Sequence, residues 1–581
     1  MASYTTFRWH RSLRRLQRLI HTLRPWFRNY LNRHIFGAWQ KLGTGRWMIV
    51  SWLGIVLIAG WALRNDITRL DAFYKTEVPQ AGGVYREGLV GQVKIVNPIL
   101  PENSASRDVS KLVFNGLTRV NAKREIEADL AQSWEIGADQ KTYTFTLRPN
   151  IVWHDGTALT SSDIAFTIAA IQNPDTRSPL STNWQGVKYE VVSDSVIKII
   201  LPNIYPAFLS ETTVGILPRH VLENIKPGSL RLSEFNQRPI GTGPYKLEPL
   251  IEGSDTIKLT ANPRYIHGKP LVDKVDFVVY QKQSDMLEGY SRKQITAVSQ
   301  INSSDVQTAE KVEDLRITQL SQPAYVGLFF NLKSPVLGDI NFRRALASAT
   351  DRRAMIDQVL MGQATEVYQP LLPGFVGYNP QAVKYKYNIE AAKTFFDQSP
   401  VAKAEQKPTL RLVTLEDAQL KKIADQTKAQ WAKLGVNVDI KVVDTVRLQQ
   451  DYIRSRNYDV LLFGQNLGTD SDLYSFWHSS QIADPGLNVS AYSSSDADKN
   501  LESGRLARDP KNRANKYAAF ESIWSGDQPA VLLYSPYYLY GQNIKVQGLA
   551  ANRISEPSDR FYAIENWSVK TKEILKKDLN K

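Results

Sequence analysis

The stretch LRLVTLEDAQLKKIADQTKAQWAKLGVNVDIKVV, residues 410–443, predicts a β-α-β unit. Apolar residues are dense in 410–415 and again in 436–443, which is typical of short strands. The segment between them has an apolar helical face made of Leu420, Ile423, Thr427, Trp431 and Leu434. Gly435 follows as a helix stop, because glycine adopts the left-handed backbone conformation without a steric penalty. The second half of the chain is therefore expected to contain β-α-β structure.

The first half of the chain has the pattern of antiparallel hairpins. Residues 141–147 alternate, with Tyr143 and Phe145 on one face and threonines on the other, as in a half-buried strand. Residues 187–192 and 196–201 are two further strand-like runs, and the Ser-Asp-Ser sequence between them is a turn signal. These two runs predict a hairpin.

Hairpins followed by β-α-β structure favour a fold of two mixed α/β lobes over a single barrel or bundle. The break between the lobes is expected near residues 320–335. Residues 530–540 are strand-like and rich in tyrosine, and we predict that they return to complete the first lobe. No segment repeats with a fixed period, which excludes a solenoid.

The N-terminal region has the composition of a membrane anchor. Residues 1–46 hold ten Arg and Lys but no Asp or Glu, and an uncharged segment then begins at Trp47 and ends at Leu63. As a helix this segment would be about 26 Å long, close to the thickness of a bilayer's hydrocarbon core. The basic tail should stay in the cytoplasm, so the chain beyond a single membrane pass is expected outside the cytoplasm.

Two other interpretations of this segment are less favoured. A cleaved signal peptide is compatible with the small residues Gly60 and Ala62, but its charged region is much shorter than 46 residues. A buried core helix conflicts with Trp47, Trp52 and Trp61, which lie near the ends of an all-apolar run. We therefore predict a transmembrane helix.

The distribution of charge points to lipid as a partner. The net charge of the chain is +14, and the first 46 residues supply most of it. A nucleic-acid partner is not expected, because the basic excess lies beside the predicted membrane segment, where anionic headgroups attract it. Leucines recur at helical spacing among the arginines before Pro25, which predicts an amphipathic helix on the membrane surface. The chain has no cysteine, so neither a disulfide nor a lipid on an N-terminal cysteine is expected.

The residue types that catalysis or metal binding would need are sparse. Beyond the predicted membrane segment the histidines are His154, His220, His267 and His478, and none forms an H-E-x-x-H motif. Neither a G-x-S-x-G elbow nor a Walker phosphate loop occurs. The sequence therefore indicates that the protein is not an enzyme and has no metal site or cofactor.

Two short motifs are interpreted as turns. The sequence GTGP at residues 241–244 resembles a phosphate loop only superficially, because Pro244 lacks an N–H group. We expect a tight turn there, before a strand at 245–247. The sequence HDG at residues 154–156 could be a catalytic pair, yet adjacent strand residues point to opposite faces, so turn chemistry is favoured.

The candidate site is the polar loop that follows the strand-like residues 458–464. Open α/β sheets usually bind ligands at the carboxyl ends of their strands. Asp470 or Asp472 is predicted to pair with an ammonium group, and the alternative is that one of them caps the helix beginning near Leu473. The predicted ligand contacts also include Gln465, Asn466, Tyr474, Trp477 and Tyr534.

Taken in order, several short segments resemble the family 5 extracellular solute-binding proteins, the oligopeptide- and dipeptide-binding components of ABC importers. The resemblance covers about residues 82–565. The segments that carry it are LAQSWE at 130–135, YTFTLR at 143–148, WHDGT at 153–157 with Asp163, GTGPY at 241–245, NPRY at 262–265, GKP at 268–270, and Asp339 with RRAL at 343–346.

This resemblance implies a two-lobed fold of the periplasmic-binding-protein type II kind with an extra subdomain. It further implies that a peptide is captured between the lobes by hinge closure and is delivered to ABC permease subunits, and that the protein is a monomer. We assign residues 64–81 to a connector and 82–323 to lobe 1 with its extra subdomain. Residues 324–525 are assigned to lobe 2, and residues 526–570 to a return into lobe 1.

The resemblance also suggests contacts in the first lobe. Glu102 and Asn103 belong to a loop that lies where relatives line the cleft, and Trp184 occupies a similar place. For Trp184 the alternative is the core of the subdomain. Tyr325 lies at the predicted junction of the lobes, where hinge packing is the alternative to ligand contact.

Two features depart from the family pattern. Relatives are commonly lipid-anchored or soluble, whereas this chain is predicted to have a transmembrane helix. In peptide-binding relatives an Asp shortly after a Gly-Trp pair holds the ligand's ammonium group. Here Gln465 follows Gly464, and Leu467 occupies the position of that Asp.

Either Asp470 substitutes after a small loop shift, or the ligand has no free ammonium group. A non-peptide solute (a metal chelate, haem, an opine-like compound or a cell-wall fragment) and an interaction protein that lost transport are therefore the alternative functions.

Overall fold

The computed structural model describes residues 45–251, 253–405 and 407–576. The described residues fall into two compact units, one of residues 45–78 with 572–576 and one of residues 79–571. The first unit contains the helix Gly45–Tyr74 (α1) and most of a two-stranded sheet, in which strand Lys75–Gln80 (β1) pairs with the last strand of the chain.

The second unit contains the remaining strands. They are Val84–Val90 (β2), Thr118–Val120 (β3), Ile126–Ala128 (β4), Ala131–Ile136 (β5), Thr142–Leu147 (β6), Lys188–Ser193 (β7), Val196–Ile200 (β8), Tyr245–Leu247 (β9), Thr256–Ala261 (β10), Lys274–Tyr280 (β11), Ala297–Val298 (β12), Leu315–Ser321 (β13), Ala324–Phe330 (β14), Ala364–Glu366 (β15), Thr409–Leu415 (β16), Asn437–Val443 (β17), Val460–Asn466 (β18), Ala530–Asn543 (β19) and, shared with the first unit, Lys570–Leu575 (β20).

The described helices of eight or more residues in this unit lie mostly in its second half. They are Ser104–Val113 (α2), Ser161–Gln172 (α3), Gln283–Ser291 (α4), Ile340–Ala349 (α5), Arg352–Val359 (α6), Ile389–Gln398 (α7), Ala418–Trp431 (α8), Ser495–Leu506 (α9) and Pro510–Asp527 (α10).

The main sheet has twelve strands, in the order β17-β16-β18-β14-β19-β12-β2-β11-β10-β9, with β13 and β15 also paired to β19. The long strand β19 belongs to both halves of this sheet. Its residues 530–534 pair with β14, and its residues 537–543 pair with β13, where Tyr537 lies opposite Ser321. The predicted strand at residues 530–540 is thus confirmed, and it connects the two halves of the sheet.

The predicted β-α-β unit is confirmed. Strands β16 and β17 pair in parallel, with Thr409 opposite Asn437 and Leu415 opposite Val443, and α8 connects them. The side chain of Asp417 accepts hydrogen bonds from two backbone N–H groups and caps the start of α8. Gly435 has a φ of 75° and ends the helical segment.

A separate four-stranded antiparallel sheet, in the order β5-β6-β8-β7, contains the predicted hairpin. Along β6 the buried residues alternate with half-buried ones, so Tyr143 and Phe145 enter the core. The turn at residues 241–244 precedes β9 at Tyr245–Leu247, as predicted. Gly156, with a φ of 102°, lies in the turn predicted at residues 154–156.

The apolar core of the second unit consists of several clusters. The largest contains residues from Tyr85 to Leu320 and from Tyr538 to Trp567. Two others contain residues between Tyr325 and Tyr534. The clusters therefore change over at two places, once before β14 and once within β19. The lobe boundaries given above stay predictions.

A buried ion cluster fastens the C-terminal segment to the largest core cluster. The guanidinium of Arg560 donates from Nη1 and Nη2 to the two carboxylate oxygens of Asp108, at 2.8 and 2.7 Å. It also donates to Oε1 of Glu87 at 2.6 Å. The hydroxyl groups of Tyr85 and Tyr540 donate to Oε2 of the same carboxylate. Arg560 and Glu87 are 0 % exposed, so this cluster is shielded from solvent.

Among the described residues, no helix has the length and apolar character needed to cross a membrane. The membrane pass predicted from Trp47 to Leu63 stays a prediction. The amphipathic helix predicted before Pro25 lies outside the residues that the structure describes.

Candidate functional site

A cavity of the second unit, called the main cavity below, has a volume of about 670 Å³ and is walled by segments from both the first and the second half of that unit. The first half contributes the turn between β3 and β4 and residues near Ser210. The second half contributes Gly374, Phe375 and Val376, the loop after β18, and Arg513 of α10. The lining segments are residues 123–126, 206, 209–210, 374–376, 469–471, 513 and 552–553.

The loop after β18 contains the predicted ammonium partner Asp470. Gly468 has a φ of 71°, and this turn leads from β18 to Thr469 and Asp470 at the cavity wall. The carboxylate of Asp470 accepts hydrogen bonds from Nη1 and Nη2 of Arg513, at 3.1 and 2.5 Å. It also accepts a bond from the backbone N–H of Asp472 at 2.8 Å. Although burial acts in the opposite direction, the hydrogen bonds and charge of Asp470 raise the pKa of Arg513. Asp470 therefore reaches the cavity, but it is already paired.

Asp472 does not line this cavity and its carboxylate is already paired, so its role as an ammonium partner stays a prediction. Its carboxylate accepts hydrogen bonds from Nε and Nη2 of Arg505, at 2.8 and 2.6 Å, and its side chain is 4 % exposed. Its Oδ1 accepts the backbone N–H of Tyr474, which begins the short helix Tyr474–Trp477. The N-cap position of this helix is Leu473, so the Asp472 carboxylate satisfies the first N–H group from one residue earlier, and its alternative role as the helix cap stays a prediction.

The residues just before the loop are used in packing. Tyr325 is fully buried, and its hydroxyl donates to Oε1 of Gln465 at 3.0 Å. Asn466 is exposed and accepts the N–H of Gly468. Leu467, the predicted counterpart of the family's ammonium-binding Asp, is 7 % exposed and packs in the core cluster around Trp477.

The predicted aromatic contacts lie mostly in the core. Trp477, Tyr534 and Trp184 are each at most 2 % exposed. The ring of Trp477 meets that of Trp524 edge to face, with centroids 5.1 Å apart. The ring of Trp184 packs against Phe208 at 5.3 Å and borders an adjoining cavity of about 240 Å³. These three residues belong to the core clusters and do not line the main cavity. Tyr474 is half-buried and stacks on His478.

Glu102 and Asn103 also do not line the main cavity. Asn103 caps α2, because its Oδ1 accepts the N–H of Ser106 at 2.8 Å. Glu102 pairs with Arg231 at 3.2 Å. The structure gives both residues local structural roles at the start of α2.

Sequence reasoning missed the segment around Phe375, which forms part of the cavity wall. Its conformation depends on Glu521, a buried residue of α10. The carboxylate accepts the N–H groups of Leu371 and Asn379, at 2.7 and 2.8 Å, and the side-chain amide of Gln369 at 2.8 Å. Burial raises the pKa of Glu521 to about 8. One side chain thus ties both ends of the segment, and nothing local in the sequence signals it.

Two arginines were also missed. Arg124 lies at the turn between β3 and β4 with a φ of 67°, and Arg553 lies in the C-terminal segment. Both line the cavity, and the guanidinium of Arg124 lies over the ring of Phe375 at 4.2 Å from its centroid. Neither residue belongs to a recognisable motif.

The cavity continues into two neighbours. A more apolar cavity of about 430 Å³ shares Pro206, Val376 and Arg513 with it, and the cavity beside Trp184 shares Ser210. Across the opening, the hydroxyls of Ser210 and Thr469 are hydrogen-bonded, so the opposing walls touch. Within the described part of the chain, no group of three or more His, Asp or Glu side chains is arranged to hold a metal ion.

Comparisons with known proteins agree with this architecture. The sequence model described as "Bacterial extracellular solute-binding proteins, family 5 Middle" matches residues 125–485. The chain is 28% identical over 511 residues to the oligopeptide-binding protein AppA of Bacillus subtilis (strain 168), covering 84% of this chain and 92% of that protein. It is 24% identical over 446 residues to the probable D,D-dipeptide-binding periplasmic protein DdpA of Escherichia coli (strain K12), covering 74% and 83%.

Two solved structures are similar. The structure of Bacillus subtilis AppA in complex with a nonapeptide superposes with a TM-score of 0.67 at 26% identity, covering 85% of this chain and 100% of that one. The structure of NikZ from Campylobacter jejuni in complex with Ni(L-His) also gives a TM-score of 0.67, at 25% identity, covering 84% and 99%.

Proposed function

The chain belongs to the family 5 bacterial extracellular solute-binding proteins, and we propose that it captures a peptide in the 670 Å³ cavity and delivers it to the permease of an ABC importer. The observation that carries this proposal is the cavity, because segments from both the first and the second half of residues 79–571 wall it. Its volume lies within the range of about 300–1,000 Å³ that is usual for ligand pockets. Among the relatives, the structure of AppA contains a peptide.

The chemistry of the walls suits a peptide backbone. Ser210, Thr469 and Ser471 place hydroxyl groups around the cavity, and these can donate to or accept from peptide N–H and C=O groups. The adjoining cavities provide room for side chains, with water bridging where contact is incomplete. Micromolar affinity corresponds to about 8 kcal/mol, which a few such bonds and one charge-assisted contact can supply after ordering costs.

Ligand capture requires the two walls to approach each other, and β19 and the Leu320–Tyr325 segment are where the core clusters change over. A few residues at such a junction can absorb the rotation of a hinge. A ligand favours closure only through contacts that it makes better in the closed form. In the proposed cycle, a bound peptide replaces direct contact between Ser210 and Thr469.

A filled cavity tests this proposal. Val376 borders both the main cavity and the apolar one. Val376→Trp should therefore fill space that a peptide would occupy and weaken peptide binding at least tenfold. The matched control is Val383→Trp, because Val383 is 52 % exposed and lines none of these cavities. Binding of a pool of short peptides is measured by calorimetry on the full chain in mild detergent. Equal weakening of peptide binding in both variants, or no weakening in either, would contradict the proposal.

A second candidate is a solute without a free ammonium group. It is favoured by Leu467 at the family's ammonium position and by the pairing of Asp470 with Arg513. The similar structure of NikZ contains Ni(L-His). Selective binding of such a small complex, with no binding of the peptide pool, would favour this candidate over the peptide.

We also propose that the N-terminal region holds the protein at the cell membrane, with residues 79–571 outside the cytoplasm. The basic tail and the uncharged residues 47–63 support this proposal. So do Trp47, Leu57 and Ile58 of α1, which are 68 to 73 % exposed and would otherwise leave a large apolar surface in water. Alkaline carbonate should leave the full chain in the membrane pellet. Its release into the supernatant would contradict membrane insertion.

A further inference from the structure

The residues that line the main cavity carry an excess of positive charge. Four basic residues line it, Lys123, Arg124, Arg513 and Arg553, against the two acidic residues Glu125 and Asp470. Arg513 and Asp470 neutralise each other through two hydrogen bonds. Glu125 is exposed, and its carboxylate accepts a bond from Asn121. The remaining positive charge therefore lies on Arg124, Arg553 and the exposed Lys123.

Arg124 is a buried cation without a counter-charge among the described residues. It is 8 % exposed, and no carboxylate of the described chain forms an ion pair with it. Burial, together with the nearby Arg553 guanidinium, lowers the pKa of Arg124 to about 10. The side chain is still charged at neutral pH. A buried and unpaired charge is costly, so its persistence at a cavity wall calls for an anionic partner.

Arg553 adds a second guanidinium at the same wall. It is half-buried and lies against Gly374, where an added Cβ would collide with the guanidinium. No carboxylate among the described residues forms an ion pair with Arg553 either. Two like charges held close together repel, and a shared anion would turn this repulsion into attraction. Guanidinium groups match the planar geometry of a carboxylate with paired N–H donors.

We infer that Arg124 and Arg553 together bind a carboxylate of the ligand in this cavity. This inference rests on the proposed function and narrows its substrate class to peptides that place a free C-terminal carboxylate, or an acidic side chain, at this wall. Asp470 is paired with Arg513, and the other acidic residue of the cavity, Glu125, is exposed. Recognition therefore depends on the acidic group of the ligand.

The test compares two peptide pools on the full chain. One pool contains short alanine peptides with free C-termini, and the other contains the same peptides as C-terminal amides. Charge-assisted bonds to a carboxylate are worth about 1.5–3 kcal/mol, so amidation should weaken binding about tenfold to a hundredfold. In Arg124→Gln and in Arg553→Gln this discrimination should fall towards unity. Arg292→Gln, which removes an exposed arginine paired with Glu288, is the control and should keep it.

A third pool identifies the source of the carboxylate. Amidated alanine peptides that contain one Glu should regain affinity if an acidic side chain serves, and should stay weak if only the C-terminus reaches the arginines; both results support the inference. Equal binding of the free and amidated pools to the unaltered protein would overturn it and leave the proposed function intact. Failure of every pool to bind a protein with a normal unfolding transition would overturn the proposed function and this inference together.

Discussion

Replacing Arg560 by methionine should strongly destabilise the protein. This substitution keeps an apolar stem of similar length but removes the cation from the buried cluster with Glu87 and Asp108. Both hydrogen bonds to the Asp108 side chain in the described structure come from Arg560, whereas Glu87 keeps its bonds from Tyr85 and Tyr540. Both carboxylates therefore lose their counter-charge, and Asp108 also loses its hydrogen bonds.

The expected loss is about 3–5 kcal/mol in the free energy of unfolding, the usual cost of leaving one charge of a buried pair alone. Burial already raises the pKa of Asp108, and the charge of Arg560 opposes this rise. Without Arg560 the folded pKa of Asp108 rises further above the unfolded value. The folded state then binds more protons than the unfolded state, so the variant should recover stability as the pH falls. The double variant Arg560→Met with Asp108→Asn should be more stable than Arg560→Met alone, because Glu87 is then the one cluster carboxylate without a counter-charge, and it keeps its hydrogen bonds from Tyr85 and Tyr540.

Urea unfolding of the full chain provides the assay, with tryptophan fluorescence and circular dichroism recorded together. Trp567 reports near the cluster, since its ring is 5.5 Å from that of Tyr85. Arg292→Met is the control, because its pair with Glu288 is exposed and should contribute little. A loss below about 1 kcal/mol for Arg560→Met, or a loss equal to that of the control, would refute the reasoning about burial.

Three further predictions concern the cavity and its supports. Burial raises the pKa of Glu521 to about 8, so the stability that its protonated form contributes is present at low pH and is lost as the pH rises from about 4.5 through 8. Glu521→Gln should flatten the dependence of the unfolding midpoint on pH. An unchanged pH dependence of the midpoint would contradict this. Gly374→Ala should weaken peptide binding at least tenfold, because its φ of 95° and the adjacent Arg553 leave no room for a Cβ; unchanged affinity by calorimetry would argue against this wall. Asp472→Asn should lower the unfolding midpoint, because it removes the charge that pairs with Arg505, and should leave peptide affinity unchanged. A selective loss of peptide affinity would identify Asp472 as a ligand contact.

Local patterns in the sequence predicted the regular elements well. The β-α-β unit with Gly435, the alternating strand β6 and the tyrosine-rich strand β19 were all confirmed, because each depends on residue spacing and turn chemistry within a short segment. The order of family segments indicated the architecture, which the similar solved structures share.

The site was harder to predict, because its contacts join distant parts of the chain. The partners of Asp470 and Asp472 lie 43 and 33 residues further along, so the loop sequence alone could not show that both carboxylates are paired. The aromatic residues after the loop have the same composition whether they face a ligand or a core, and the structure places Trp477 in the core. Arg124 was overlooked because one arginine in a turn usually faces solvent.

Native mass spectrometry of the full chain, gently purified in detergent, shows whether the cavity holds a peptide. Denaturing release should then yield the bound species for sequencing. We expect a mixture of short peptides, released from the unaltered protein and from Val383→Trp but strongly depleted in Val376→Trp. A single non-peptide solute, or peptides that persist in Val376→Trp, would contradict this expectation.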